Sequence, residues 1–195
     1  MTYTKGKKFD VLRPVGSVAD CKKLARQYNC IAYVEQHLNA TSGVDTNYSL
    51  AIVGPDCPRS VAMAKQYTEL CAKEFNIKNG GVLVGAQGYG NVYGAGCPHF
   101  LAEPGFISNP RFAGIARTGE GIGAMARCLT DVLVTHFPNG GRIALVAGHR
   151  DRGTGDPGAP VYMRPDETRD GYLWEADIAD AIVVTATKML TQMDR

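Results

Sequence analysis

GRIALVAGHRDRGTGDPGA, residues 141–159, sets a continuous apolar run directly against a histidine and a glycine-rich loop. Residues 143–147 are short, apolar and rich in branched side chains, so they predict a strand buried on both faces. His149 falls where that strand ends. In an open α/β sheet the carboxyl ends of strands are where loops gather functional groups, so a metal-capable side chain there is well placed. Further on, Glu175 begins a helical pattern running from Trp174 to Leu190, with Ile178, Ile182, Ala186 and Met189 on its apolar side.

Working outward, strands alternate with amphipathic helices. Residues 9–13 predict a strand, and Ser17 to Asp20 a capping box, with Asp in place of the usual Glu or Gln, that opens a helix to about Tyr28. The run 31–37 suits a strand that delivers His37 at its far end, and the HLNATSG that begins there is turn-like. YSLAIVG from Tyr48 predicts another strand, closed by Gly54-Pro55-Asp56. In the helix predicted over 58–75, Ala64, Tyr67, Cys71 and Phe75 recur at spacings of three and four. Asn79-Gly80-Gly81 is expected to end that unit before the strand GVLVGA. AQGYGNVYGAG (86–96) reads as a glycine-rich loop bordering a cleft, and its glycines are most simply turn chemistry. Residues 99–103 predict a short strand, followed by the turn PGFISNP. The stripe Ile122, Met125, Ala126, Leu129, Val132 and Leu133 predicts a helix over 118–136, stopped by Pro138-Asn139-Gly140-Gly141. The pattern implies a single α/β domain with a mostly parallel central sheet of about six strands flanked by helices.

Composition narrows the function. A chain of 195 residues with 45% hydrophobic content fits one globular domain, and it has no apolar run near the roughly 20 residues a membrane helix needs. Its start, MTYTKGKKFDVLRP, is basic but lacks the apolar segment of a secretory signal, so synthesis into the cytoplasm is expected. A net charge of +2 without a basic stripe argues against nucleic acid. The six cysteines form no C-x-x-C pair, so they read as free thiols, not as a thiolate zinc site or a redox motif. Of the four histidines, His136 closes a helix, where a structural or surface role fits. His99 fits either role, with the structural one favoured. His37 and His149 both follow apolar strands, and each taken alone reads as an ordinary satisfied histidine.

Three strings together change that balance: HLNA at His37, FLAEPGFISNP at Phe100, and AGH…GDPGA…E from Ala147 to Glu175. They resemble the signature segments of zinc-dependent N-acetylmuramoyl-L-alanine amidases. In that family a glycine-histidine loop precedes an Asp-Pro-Gly-Ala-like turn and a helix-opening glutamate, a second histidine lies in S-I-H-x-N-A, and a late glutamate in E-x-G-F-x-S/T-N. The resemblance spans most of the chain, but the order is rotated. Residues 142–190 match the family's beginning and residues 9–136 its later part, as in a circular permutation with the 138–141 linker joining the old ends. Such a rotation requires the present termini to lie on the same side of the fold.

The resemblance implies that His37, His149 and Glu175 hold Zn2+ and that Glu103 is the catalytic carboxylate. Two neutral imidazoles and one carboxylate leave a coordination position open, as hydrolysis requires. The implied substrate is peptidoglycan, cut between the lactyl group of N-acetylmuramic acid and L-alanine, and the missing export signal suggests a phage or prophage endolysin that reaches the wall through a membrane lesion. A zinc peptidase or deacylase acting on another amide, and a wall-binding module without activity, are the rival expectations. The chain departs from the family in three places: Val146-Ala147 replaces an aspartate, the loop 150–155 is long, and YVEQH precedes His37 in place of the serine-isoleucine lead-in. Glu35 then shares a strand face with His37, either as its partner or as a surface residue. Glu167 rivals Glu175, which is preferred because it opens a helix. The sequence leaves the oligomeric state open.

Overall fold

The computed structural model describes residues 1–149, 156–163 and 173–194. Along the chain run β1 (Thr2–Thr4), β2 (Phe9–Arg13), α1 (Val18–Gln27), β3 (Ala32–Gln36), β4 (Tyr48–Val53), α2 (Pro58–Phe75), β5 (Lys78–Val84), α3 (Tyr89–Val92), β6 (His99–Glu103), α4 (Pro110–Ala116), α5 (Gly119–His136), β7 (Gly141–Ala147) and α6 (Glu175–Gln192). The strands form one sheet in the order β1-β2-β7-β3-β6-β4-β5. Four of its pairings, β2/β7, β7/β3, β3/β6 and β4/β5, are parallel, whereas β1/β2 and β6/β4 are antiparallel.

Alternation of side chains divides the core between the two faces of this sheet. Val11, Val34, Phe100 and Leu145 point to the face covered by α2, α5 and α6. Leu12, Tyr33, Leu101 and Val146 point to the other, where α1 contributes Cys21 and Ala25 and α3 contributes Val92. The helix ends follow local chemistry. Ser17 caps α1 in a reciprocal box with Asp20, Thr118 caps α5 by accepting from the Gly121 amide, and Pro58 occupies the first turn of α2.

Several elements differ from the sequence expectations. The sheet has seven strands, because the three-residue β1 adds an antiparallel edge to β2. The stop of α2 is Asn76 in the left-handed region, at φ 48°. Asn79-Gly80-Gly81 instead lies inside β5, where the register with β4 shifts between Ser49 and Leu50. A Cβ at Gly80 would come within 2.8 Å of the Ser49 carbonyl oxygen, which is why glycine suits the irregularity. PGFISNP is only partly a turn, since Asn109 accepts from the Phe112 amide and Pro110 opens α4. Residues 86–96 contain the single-turn helix α3. Lys22 Nζ of α1 donates to the carbonyls of Gly90 and Tyr93, at 2.6 and 3.0 Å, and Arg26 donates to that of Gly94.

The segment before β2 packs against the end of α6. Lys7 Nζ is 2.7 Å from Asp194 Oδ1, and a Cβ at Gly6 would come within 2.6 Å of Thr191 Cα. Residues 6 and 7 thus meet the C-terminal end of α6, while β1 carries Thr2 back to the level of Arg13 at the other end of β2. Among the described residues no helix is long and apolar enough to cross a membrane, and all six cysteines are free thiols.

Candidate metal centre

The site is assembled by strand register. β3 pairs in parallel with β6, Glu35 opposite Leu101 and Gln36 opposite Ala102, and the His37 amide donates to the Ala102 carbonyl at 2.9 Å. One step further on, His37 and Glu103 come side by side on one sheet face. On its other flank β3 pairs with β7, Gln36 opposite Ala147, and the Gly148 amide donates to the Gln36 carbonyl at 2.7 Å. Gly148 is thus the neighbour of His37, and a Cβ there would overlap the imidazole. His149 follows in the left-handed region at φ 61°, a strained backbone for a residue with a side chain and one that clusters at functional sites.

Glu175 arrives from a different direction, at the first position of α6. Its Oε1 is 3.0 Å from His37 Nδ1 and 3.1 Å from His149 Nε2, and it accepts from the Leu38 amide at 3.1 Å. The rings of His37 and His149 meet edge to face, 4.9 Å between centroids. A Cβ at Gly158 would stand 2.7 Å from both Glu175 Oε2 and His149 Cδ2, so a second glycine makes room for the cluster.

Each imidazole is also held from behind. His37 Nε2 is 2.9 Å from Glu35 Oε1, and His149 Nδ1 is 3.0 Å from Asp156 Oδ1. A carboxyl group on the remote nitrogen fixes the ring and its tautomer, as it does for ligating histidines. Glu35 is therefore the buried partner of His37, not a surface residue. Asp156 lies within the GDPGA string and Asn91, which touches Glu35, within the glycine-rich 86–96, but the sequence assigns neither a role there, because what recruits them is the position of another element.

Burial and mutual contact set the protonation of these groups. Burial opposes charge on His37, but its hydrogen bonds to Glu175 and Glu35 outweigh that and push its pKa up to about 10. Burial would raise Glu175, and the two histidines instead bring it down to about 2. His149 is raised, chiefly by its hydrogen bond to Glu175. Glu103 goes the other way: burial pushes its carboxyl up to about 8, against the opposing pull of His37. Its Oε2 is buried with no hydrogen-bond partner among the described residues.

The donor set suits a divalent cation. His37, His149 and Glu175 each offer an atom within 4.8 Å of the others, and the two imidazole nitrogens stand 3.0 and 3.1 Å from Glu175 Oε1, near the separation of neighbouring ligands on an ion with bonds of about 2.0–2.2 Å. All three are among the four residues expected from the sequence, and the fourth, Glu103, ends β6 one residue beyond the last β3/β6 pair, Gln36 with Ala102. Glu167 and the loop 150–155 lie outside the described residues. His99 and His136 stand apart. The former is buried between the Gly54 amide and the Cys97 carbonyl, and the latter ends α5, where its own carbonyl accepts from Arg59. Replacing Gly148 with alanine should displace the His37 ring by the order of an ångström while leaving β7 intact. Affinity for a divalent cation is then expected to fall by about 10²-fold, with unchanged circular dichroism; wild-type affinity in the variant would contradict this packing account.

Three solved structures show what the fold is similar to. The catalytic domain of CwlV, an N-acetylmuramoyl-L-alanine amidase from Bacillus (Paenibacillus) polymyxa var. colistinus, matches with a TM-score of 0.57 and 16% identity over 65% of this chain and 68% of that one. The N-acetylmuramoyl-L-alanine amidase from Clostridium difficile 630 gives 0.57 and 17% over 63% and 66%. AmiC2 of Nostoc punctiforme, another such amidase, gives 0.55 and 19% over 64% and 67%. The chain thus spans about two thirds of each, and at these identities the likeness is one of fold. No protein-family model matches the sequence, and no curated protein matches it.

Proposed function

We propose that this chain is a single catalytic domain, a zinc-dependent N-acetylmuramoyl-L-alanine amidase that hydrolyses the bond between the lactyl group of N-acetylmuramic acid and L-alanine in peptidoglycan. The observation that carries the reading is the convergence of His37 Nδ1, His149 Nε2 and Glu175 Oε1 at the rim of the sheet, with the part-buried Glu103 ending the neighbouring strand β6. The amidase structures of similar fold support it.

His37, His149 and Glu175 would hold the ion, and zinc in such a set supplies Lewis-acid polarisation of a carbonyl and makes water a stronger acid. Glu103 does the proton work. A carboxyl pushed up to about 8 is poised near neutrality, and a cation held beside it lowers it from there, so Oε2 can accept a proton from the attacking water. The same oxygen then delivers that proton to the amide nitrogen as the C–N bond breaks, leaving a lactyl carboxylate and a free alanine amine. Glu35 and Asp156 keep the two imidazoles facing Glu175 throughout.

Digestion of purified peptidoglycan tests the proposal. The expected products are free lactyl carboxylate and new alanine amino groups in equal amount, lost on verified metal removal and restored by zinc. Cleavage confined to bonds within the stem peptide would establish the peptidase reading instead. Wall binding with no soluble product would establish a non-catalytic module.

A further inference from the structure

Glu35 stands on β3 between Leu101 of β6 and Val146 of β7, on the face that α1 and α3 cover, and is almost wholly buried. A carboxyl group in apolar surroundings is expensive unless each oxygen finds a partner. Its Oε1 accepts from Asn91 Nδ2 at 2.9 Å and faces His37 Nε2 at the same distance, while the Tyr33 hydroxyl lies 3.4 Å from Oε2. Asn91 is the third residue of α3, a helix too short to hold itself. It is seated by the Lys22 and Arg26 contacts to the carbonyls of Gly90, Tyr93 and Gly94. Contacts therefore run unbroken from the basic face of α1, through α3 and Asn91, to Glu35 and the back of the His37 ring.

We propose that Glu35 is the positioning residue of His37, accepting the Nε2 proton so that Nδ1 is presented to Glu175 and His149, and that Asn91 locks Glu35 in that orientation from α3. The proposal rests on the reading of His37 as a metal ligand. It gives residues 86–96 a purpose: the positive φ of Gly88, Gly94 and Gly96 allows the tight turns around α3 that set one amide donor over a buried carboxyl group. Without Glu35, the imidazole is free to turn its other nitrogen toward Glu175.

Zinc affinity and the His37 ring resonances, measured on the whole chain, test this without any hydrolysis assay. In the wild type, a slowly exchanging, hydrogen-bonded Nε2 proton of His37 is expected in both the metal-free and the zinc-loaded protein. Glu35→Gln should weaken zinc binding by about 10–100-fold and move or broaden that resonance, with the fold retained by circular dichroism. Asn91→Ala, on the outer side of the network, should give a smaller loss in the same direction, and it serves if Glu35→Gln does not fold. Unchanged affinity and an unchanged resonance in the folded variant would overturn the proposal. A wild-type chain that takes up no zinc would refute the metal reading itself, while the resonance in the metal-free protein still decides the role of Glu35.

Discussion

Replacing Glu103 with glutamine is expected to lower hydrolysis of the muramyl–alanine amide by about 10²–10⁴-fold, the usual range for removing a positioned general acid or base. Glutamine keeps the size of the side chain and can neither take up nor release a proton. Zinc content should stay near that of the wild type, because Glu103 is not among His37, His149 and Glu175, the three groups placed to hold the ion. Burial raises this carboxyl more than the neighbouring histidine lowers it, so the isosteric amide should also fold without cost. Rate constants on soluble muramyl peptides, beside metal analysis of the same preparations, check both halves. Undiminished turnover would take Glu103 out of the mechanism, and lost metal would make it a ligand.

Zinc uptake should be steeply dependent on pH. In the metal-free chain His37, held up to about 10, carries a proton throughout the neutral range, and His149 is raised as well. Ligation needs neutral imidazoles, so each proton must leave before the ion binds. Glu175, brought down to about 2, is ionised already and releases nothing. Apparent affinity should therefore rise with pH, by about tenfold per unit from His37 alone between pH 6 and 9, and more steeply where His149 is also protonated. Competition against a chelator of known pH dependence gives the slope, and calorimetry in buffers of different ionisation heat counts the protons. A pH-independent affinity would show that the pairing of His37 with Glu175 and Glu35 does not govern the metal-free site.

How much of this was legible in the sequence follows from which interactions are local. The bounds of α2, the Ser17 capping box and the ends of α5 come from side chains acting within a turn or two. In contrast, α3 is held by two cations from α1, and no propensity within 86–96 announces it. The helix α4 was missed: Asn109-Pro110, a cap followed by the favoured first residue, is its local signal, but PGFISNP reads as a turn alone. The reversed direction of β4 against β6 leaves no mark on the pattern of apolar residues. The site divides in the same way. His37, His149, Glu103 and Glu175 were marked out by the motifs around them. Asp156 lies inside the GDPGA string, yet its role, like that of Asn91, was not legible, because a hydrogen bond to the back of a ring, or to the carboxyl group behind it, is specified by the fold alone.

The alignment of β7, β3 and β6 carries one more consequence. His37, Glu103 and the glycine between the two histidines are spaced by interstrand hydrogen bonds, not by the loops that join one strand to the next. What the chemistry needs is therefore adjacency, and it is indifferent to itinerary. A polypeptide could visit these three strands in any sequence that packs and still leave the same groups at the same rim, which frees the connecting segments to vary in length and composition while the reacting atoms stay where they are.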